Sequence, residues 1–263
     1  MVRASKEIIM QTAHDKNVQN QFGPRASAYV ESAVHSQGED LVALAALAEK
    51  AAPMHAIDLG CGGGHVAYTM AKYARRVTAC DLSADMLAAV SATAKSKSLA
   101  NIDTVETSAE KLPFENGSFD FLGCRYSAHH WMDVEAGLRE ARRVLKVGSP
   151  AMFVDIYSPG KPLLDTHLQT VELLRDTSHV RDYSIAEWSD MLAHAGFTVR
   201  ACQTRQIRMD FPVWIARMAT PPDLAQAIRA LQKAAPVEVQ SHFAIEPDGS
   251  FMLDLLMVEA IAA

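Results

Sequence analysis

The chain has 263 residues, 49% of them hydrophobic and 21% charged, enough apolar material to bury a sizeable core and too much for a disordered or fibrous protein. A formal charge of −6, with acids and bases interleaved, provides no basic stripe to attract a phosphate backbone, so nucleic acid is not an expected partner. No apolar run reaches the roughly 20 residues of a membrane span and polar residues interrupt the N-terminus, which places the protein in the cytoplasm; Cys61, Cys80, Cys124 and Cys202 form no CxxC pair and predict neither disulfides nor a zinc site.

In chain order, residues 1–50 read as an N-terminal helical flap. Within it, "FGPRASAYVESAVHSQGEDL" sets Tyr29 and His35 around a helical pattern, and "GEDLVALAALAEKAAP" predicts a helix with acids at its start and Pro53 beyond its end. Residues 51–157 alternate short apolar runs ("HAIDLG", "RVTACD", "IDTVET", "FDFLGC", "PAMFVDIY") with helix-period segments. That alternation predicts an α/β fold, a parallel sheet covered by helices on both faces, with a ligand crevice at the carboxyl ends of the strands.

From Ser158 the rhythm breaks, and residues 158–195 read as a helical insertion or lid. "YSIAEWSDMLAHAGF" carries a capping box, Ser184 with Glu187, and a stop at Gly196. Residues 196–263 complete the sheet: "FTVRACQTRQI" as a strand, "TPPDLAQAIRALQKAA" as a helix capped by Thr220, and "FMLDLLMVEAIAA" as the last strand.

The densest signal is "HAIDLGCGGGHVAYTMAKYARRVTACDLS", where glycines follow a strand and open a helix. Such a loop lets backbone approach a ligand and offers unsatisfied N–H groups to it. A dinucleotide fingerprint starting at Gly60 and Gly62 needs a small third residue where this chain has His65, which disfavours a nicotinamide cofactor. The other spacing, an acid two residues before alternating glycines, is met by Asp58, Gly60, Gly62 and Gly64 with Cys61 between them. Asp81 follows Gly60 by about 20 residues, the separation expected of a ribose-binding carboxylate.

This loop resembles the first motif of the class I S-adenosylmethionine-dependent methyltransferases, and further segments fall in that family's order. "CDLSADML" is similar to the second motif, "SAEKLPFENGSFDFLGCRYSAHHW" to the next two, and "REARRVLKVGSP" to the helix and turn before the fifth strand, with "VGS" in place of Pro-Gly-Gly. The likeness runs from about Tyr29 to Tyr157 and is strongest to the small-molecule branch that includes the ubiquinone and menaquinone C-methyltransferases. It implies a doubly wound sheet of seven strands, the last antiparallel, with S-adenosyl-L-methionine as cofactor and a small-molecule acceptor. It further implies that Leu82 and Met86 pack on the adenine, that Ala109 and Glu110 lie beside it, that Arg125 to Trp131 run toward the methyl group, and that Tyr29 reaches the cofactor carboxylate.

Each residue also has a plainer reading. Asp58 could cap the glycine turn, Asp81 could serve the next helix N-terminus, Met86 could be core and Glu110 solvated. In "RYSAHHW", adjacent imidazoles follow a strand's carboxyl end. Adjacent side chains diverge, so one is expected to reach the substrate: His130 as general base or orienter, with His129 second. Metal binding is not expected, since no third ligand stands at a usual spacing. Arg175, His179 and Arg181 in "RDTSHVRDY" are either a solvated face or substrate-reading groups of a lid. The function expected is methyl transfer to a small-molecule acceptor, with quinone precursors, other small aromatics and polar metabolites all open. A nicotinamide-dependent oxidoreductase and a non-catalytic cofactor-binding module are the alternatives.

Overall fold

The computed structural model describes residues 12–25 and 38–263; Tyr29 and His35 lie outside them. Helix α1 (Ala13–Phe22) opens on a capping box, Thr12 accepting the Asp15 N–H and the Asp15 carboxylate accepting that of Thr12. A single 3-10 turn, Gly23–Arg25, follows it. Helix α2 (Glu39–Ala51) turns Leu41, Leu44 and Ala48 inward. Then come β1 (Ala56–Leu59), α3 (His65–Met70), β2 (Val77–Asp81), α4 (Ala84–Ser96), β3 (Ile102–Glu106), β4 (Phe121–Arg125), α5 (Val134–Val144) and β5 (Pro150–Ile156). The C-terminal part adds α6 (Pro162–Arg175), α7 (Ile185–Ala195), β6 (Phe197–Met209), α8 (Phe211–Met218), α9 (Pro222–Ala234), α10 (Val237–His242) and β7 (Phe251–Ala262).

The strands form one seven-stranded sheet in the order β3-β2-β1-β4-β5-β7-β6. β1 to β5 pair in parallel, and β7 runs antiparallel to both β5 and β6. This is the doubly wound arrangement with an antiparallel last strand that the family resemblance implies. The winding reverses between β1 and β4, so the chain leaves their carboxyl ends in opposite directions and opens a crevice there.

Every residue of β1 and β4 is buried, as expected for strands covered on both faces. Alternate side chains feed two cores. Ala56, Phe121 and Val154 pack with α2, α3 and α6, while Ile57, Leu122 and Phe153 pack with α5 and α7. Helix α7, expected in the insertion, therefore covers the sheet, burying Trp188, Met191 and Leu192. Its ends are as read: the Ser184–Glu187 capping box is present and Gly196 takes φ 92°. What projects beyond the sheet is α6, the loop after it, and α8 to α10. Helix α8 was not foreseen, and α9 starts one residue later than expected, with Pro221 rather than Thr220 at its cap. Thr220 Oγ1 instead donates to the Arg175 carbonyl at 3.0 Å, tying the two C-terminal helices to α6.

Candidate active site

Gly60, Gly62 and Gly64 all take positive φ (69°, 46° and 80°), which side-chain-bearing residues rarely adopt. Gly60 is also spatially required, because a Cβ there would fall 1.8 Å from Ser127 Oγ. Gly64 differs from the expectation: a Cβ there would meet the Tyr68 ring at 2.8 Å, so it serves packing, and Gly63 rather than Gly64 lies on the cavity wall.

Two carboxylates brace this loop. Asp58 Oδ2 accepts the Ala67 N–H at 2.8 Å in the first turn of α3, so it caps the helix. Burial pushes its carboxyl up to about 8, against the opposing Ala67 bond. Asp81 Oδ2 accepts the Gly62 N–H at 2.8 Å and its Oδ1 accepts that of Ser83 at 2.9 Å. Burial raises the Asp81 carboxyl too, while those backbone bonds hold it down.

A cavity opens at the carboxyl ends of β1, β2 and β4. Asp58, Gly60, Cys61, Gly62 and Asp81 line its loop side, Leu82 and Met86 one wall, and Ala109 and Glu110 another. The Glu110 carboxylate is engaged locally, accepting from Ser108 Oγ at 2.6 Å and from the Asp133 N–H at 3.0 Å. Arg125 also reaches the cavity, but its guanidinium is buried in an ion pair with Asp40 and lies over the Tyr126 ring. Trp131, which the family resemblance ran toward the methyl group, and two residues of α1 that the sequence reading did not name complete the wall. Trp131 donates Nε1–H to Ser127 Oγ at 3.0 Å, and Val18 and Phe22 of α1 close the top.

The histidines depart from the expectation that one would turn away. They sit on a 3-10 turn, Ala128–His130, and not on a pleated strand, so their rings lie side by side with centroids 4.1 Å apart. Both face a second cavity, which shares Phe22, Tyr126 and His130 with the first. Tyr126 holds a left-handed backbone, φ 53°, at this junction. The second cavity has an apolar side, with Ile156, Ile207, Met209, Trp214 and Leu253, and a polar side, with Glu172, Arg175, Asp176 and Asp182. Of the three insertion residues singled out from sequence, only Arg175 lines it. His179 is buried behind it against Gln169 Oε1 (2.9 Å), and Arg181 pairs with Asp165 and Glu187.

His130 Nδ1 lies 3.0 Å from the Ser178 carbonyl. A carbonyl only accepts, so Nδ1 carries the proton and Nε2 keeps its lone pair. Burial, and then the charge of His129, hold His130 down to about 4. For His129, burial opposes the charged form, but Asp155, hydrogen-bonded at 2.6 Å, with Asp182 and Glu172, raises it to about 9. Two acids that spacing along the chain did not set beside the histidines are brought to them: one donor atom each from His129, Asp155 and Asp182 lie within 4.8 Å of one another. Spacing along the chain hid this, because the acids arrive from β5 and from the loop after α6.

A methyltransferase-domain family model matches residues 57–153. The uncharacterized protein YafE of Escherichia coli is 45% identical over 201 residues, covering 76% of this chain and 97% of that one. The uncharacterized methyltransferase YcgJ of Bacillus subtilis is 33% identical over 245 residues, covering 91% and 97%. Its crystal structure superposes with a TM-score of 0.81 over 85% of this chain and 97% of that one, at 32% identity. The ubiquinone/menaquinone biosynthesis C-methyltransferase UbiE of Rubrivivax gelatinosus is 34% identical over 113 residues, 43% of each chain. The loop bared at Gly60, the two carboxylates beside it and the apolar wall of Leu82 and Met86 suit the amino-acid, ribose and base parts of S-adenosylmethionine. The nicotinamide reading falls. With this sheet order, this loop and these relatives, the chain belongs to the class I S-adenosylmethionine-dependent methyltransferases.

Proposed function

We propose that this enzyme methylates a small-molecule acceptor with an apolar, aromatic body and one polar end, seated in the second cavity. The observation that supports this is the junction: the two cavities share Phe22, Tyr126 and His130 in their walls. Bound S-adenosylmethionine supplies the activated methyl group, and the residues do the rest by position. In this reading Asp81 accepts hydrogen bonds from the ribose hydroxyls, Asp58 faces the cofactor's ammonium, Leu82, Met86 and Ala109 enclose the base, and Glu110 fixes the loop beside it. Cys61, Gly62 and Gly60 are the backbone that the cofactor runs along.

Trp214, Met209 and Ile207 receive the acceptor's apolar body, and the polar wall takes its hydroxyl, carboxyl or amine. Alignment and exclusion of water carry most of the rate. His130 presents Nε2 at the junction as a neutral ring. With its protonation held down to about 4 it is a weak base, better suited to accepting a hydrogen bond from the acceptor and orienting it than to taking a proton outright. Phenols and quinone precursors suit such a cavity, and a cytoplasmic metabolite of this kind is the expected substrate.

The test is a panel of small phenols, quinone precursors and non-aromatic carboxylates and amines, scored by S-adenosylhomocysteine release. Turnover confined to the aromatic members is expected. His130→Ala should then lower turnover about tenfold or more while S-adenosylhomocysteine affinity changes less than about twofold. Turnover confined to non-aromatic members would overturn the acceptor class, and unchanged turnover in the variant would remove His130 from the site.

A further inference from the structure

We propose that His129, Asp155 and Asp182 bind one divalent transition-metal ion in the wall of the second cavity. The three come from separate parts of the fold: the 3-10 turn after β4, the penultimate residue of β5, and the loop between α6 and α7. They are brought close enough that one donor atom of each lies within 4.8 Å of the others. His129 Nδ1 and Asp155 Oδ1 already stand 2.6 Å apart. Neighbouring donors around an ion with bonds near 2.1 Å stand about 3.0 Å apart in octahedral and about 3.4 Å apart in tetrahedral geometry, so this pair opens by about 0.4–0.8 Å to share one.

A second observation points to a ligand independently of the clustering. Asp182 is 2% exposed, and its Oδ2 is a buried carboxylate oxygen with no hydrogen-bond donor among the described residues. The nearest candidate, His179 Nε2, is 3.9 Å away and is directed to Gln169 Oε1 at 2.9 Å. A buried carboxylate oxygen left in this state is costly, and a cation held beside it would satisfy it.

Charge balance agrees once the ion displaces the proton that these acids hold on His129. Two carboxylates with the imidazole so freed match a divalent ion, whereas Glu172 and Asp176 of this wall are already engaged. Glu172 lies 3.5 Å from Arg175, and Asp176 accepts from the Ser178 N–H and hydroxyl at 2.8 and 2.6 Å. Asp155 is further fixed by the Ile156 N–H at 3.0 Å, which orients a ligand carboxylate as an outer shell should. One nitrogen and two carboxylate oxygens suit Mn²⁺, Fe²⁺ or Zn²⁺ better than Ca²⁺, which collects oxygens only. Coordination positions left open on the cavity side would hold an oxygen of the acceptor.

The experiment needs no acceptor. Protein stripped with chelator is titrated with Mn²⁺, followed by calorimetry and by loss of the free-ion paramagnetic resonance signal, and separately with Zn²⁺. Expected is one Mn²⁺ per chain with a Kd below about 50 µM, weakened tenfold or more, about 1.4 kcal/mol, by Asp182→Asn. Retained S-adenosylhomocysteine affinity shows that the variant is folded and keeps the cofactor site; if Asp182→Asn does not fold, His129→Gln reads the same site. No binding of either ion, or binding that the variants leave unchanged, overturns the proposal. The His129 imidazolium would then be the only cation between these acids.

Discussion

Asp58 shows how burial sets a residue up for one ligand. Its carboxyl is pushed up to about 8 in the folded chain, against about 3.9 unfolded. The folded state therefore holds the extra proton between those values, and Asp58 subtracts stability progressively as pH rises from about 4 to about 8. A cofactor ammonium beside it favours the ionised form. S-adenosylhomocysteine binding at pH 7 is thus expected to release close to one proton, measurable by calorimetry in buffers of different ionisation enthalpy, and its affinity should rise from pH 6 to pH 8. In Asp58→Asn the proton release should vanish and affinity fall about tenfold, roughly 1.4 kcal/mol, while the melting temperature at pH 8 rises. Proton release unaltered in the variant would place the ammonium elsewhere. Asp81→Ala removes a different part of the site, the expected ribose acceptor and a brace on Gly62. A tenfold or greater loss of affinity is expected at pH 7, and an affinity unchanged from wild type would take Asp81 off the cofactor.

At the scale of elements, the wall between β4 and α5 is a chain of close fits. Gly60 leaves room for Ser127, Ser127 accepts the Trp131 N–H, and Trp131 lies on Gly137 of α5, where a Cβ would meet its Cε3 at 2.4 Å. Gly137→Ala favours the isolated helix by about 0.8–1 kcal/mol, yet overpacking here costs about 1–3 kcal/mol. Because the obstacle is a large ring held between a helix and a loop, the second effect should win. The variant is expected to be less stable by about 1 kcal/mol in urea unfolding and to bind S-adenosylhomocysteine several-fold more weakly, since the displaced ring lines the cofactor cavity. A stability gain with unaltered affinity would show that Trp131 relocates freely. None of this was readable from the chain, because Gly137 sits inside a helix where sequence treats glycine as a mere weakness. The glycine loop was readable, since three positive φ angles, Asp58 and Asp81 all belong to one strand-loop-helix-strand unit. The second cavity was not: Tyr126, Ile156, Glu172, Ile207, Trp214 and Leu253 meet only through tertiary folding, and helical spacing places none of them together.

Over the whole molecule, alternation of apolar runs and helical segments carried the parallel sheet, because each βαβ unit is local. The C-terminal helices were less legible, since α8 is only 8 residues long and follows β6 after a single residue, Asp210, its start marked by that cap and by Pro212 in its first turn. The same contrast between local and distant contacts predicts how the site opens. Helix α1 buries no side chain fully and is held over the cavities by polar bonds to remote segments. His14 Nε2 lies 2.8 Å from the His130 carbonyl, Asn17 donates to the Thr177 carbonyl at 2.8 Å, Gln19 to that of Leu82 at 2.6 Å, and Gln21 to Thr177 Oγ1 at 3.1 Å. At about 0.5–1.5 kcal/mol each, four such bonds hold the helix by only a few kcal/mol, far less than β1 and β4 gain from burial on both faces. Amides of α1 should therefore exchange with solvent orders of magnitude faster than those of β1 and β4, through local opening. Because Val18 and Phe22 close the cofactor cavity, binding of S-adenosylhomocysteine should slow α1 exchange about tenfold or more while core exchange changes little. Exchange in α1 as slow as in the core before the ligand is added would mean that the cofactor enters by another route, and that this helix is part of the rigid frame.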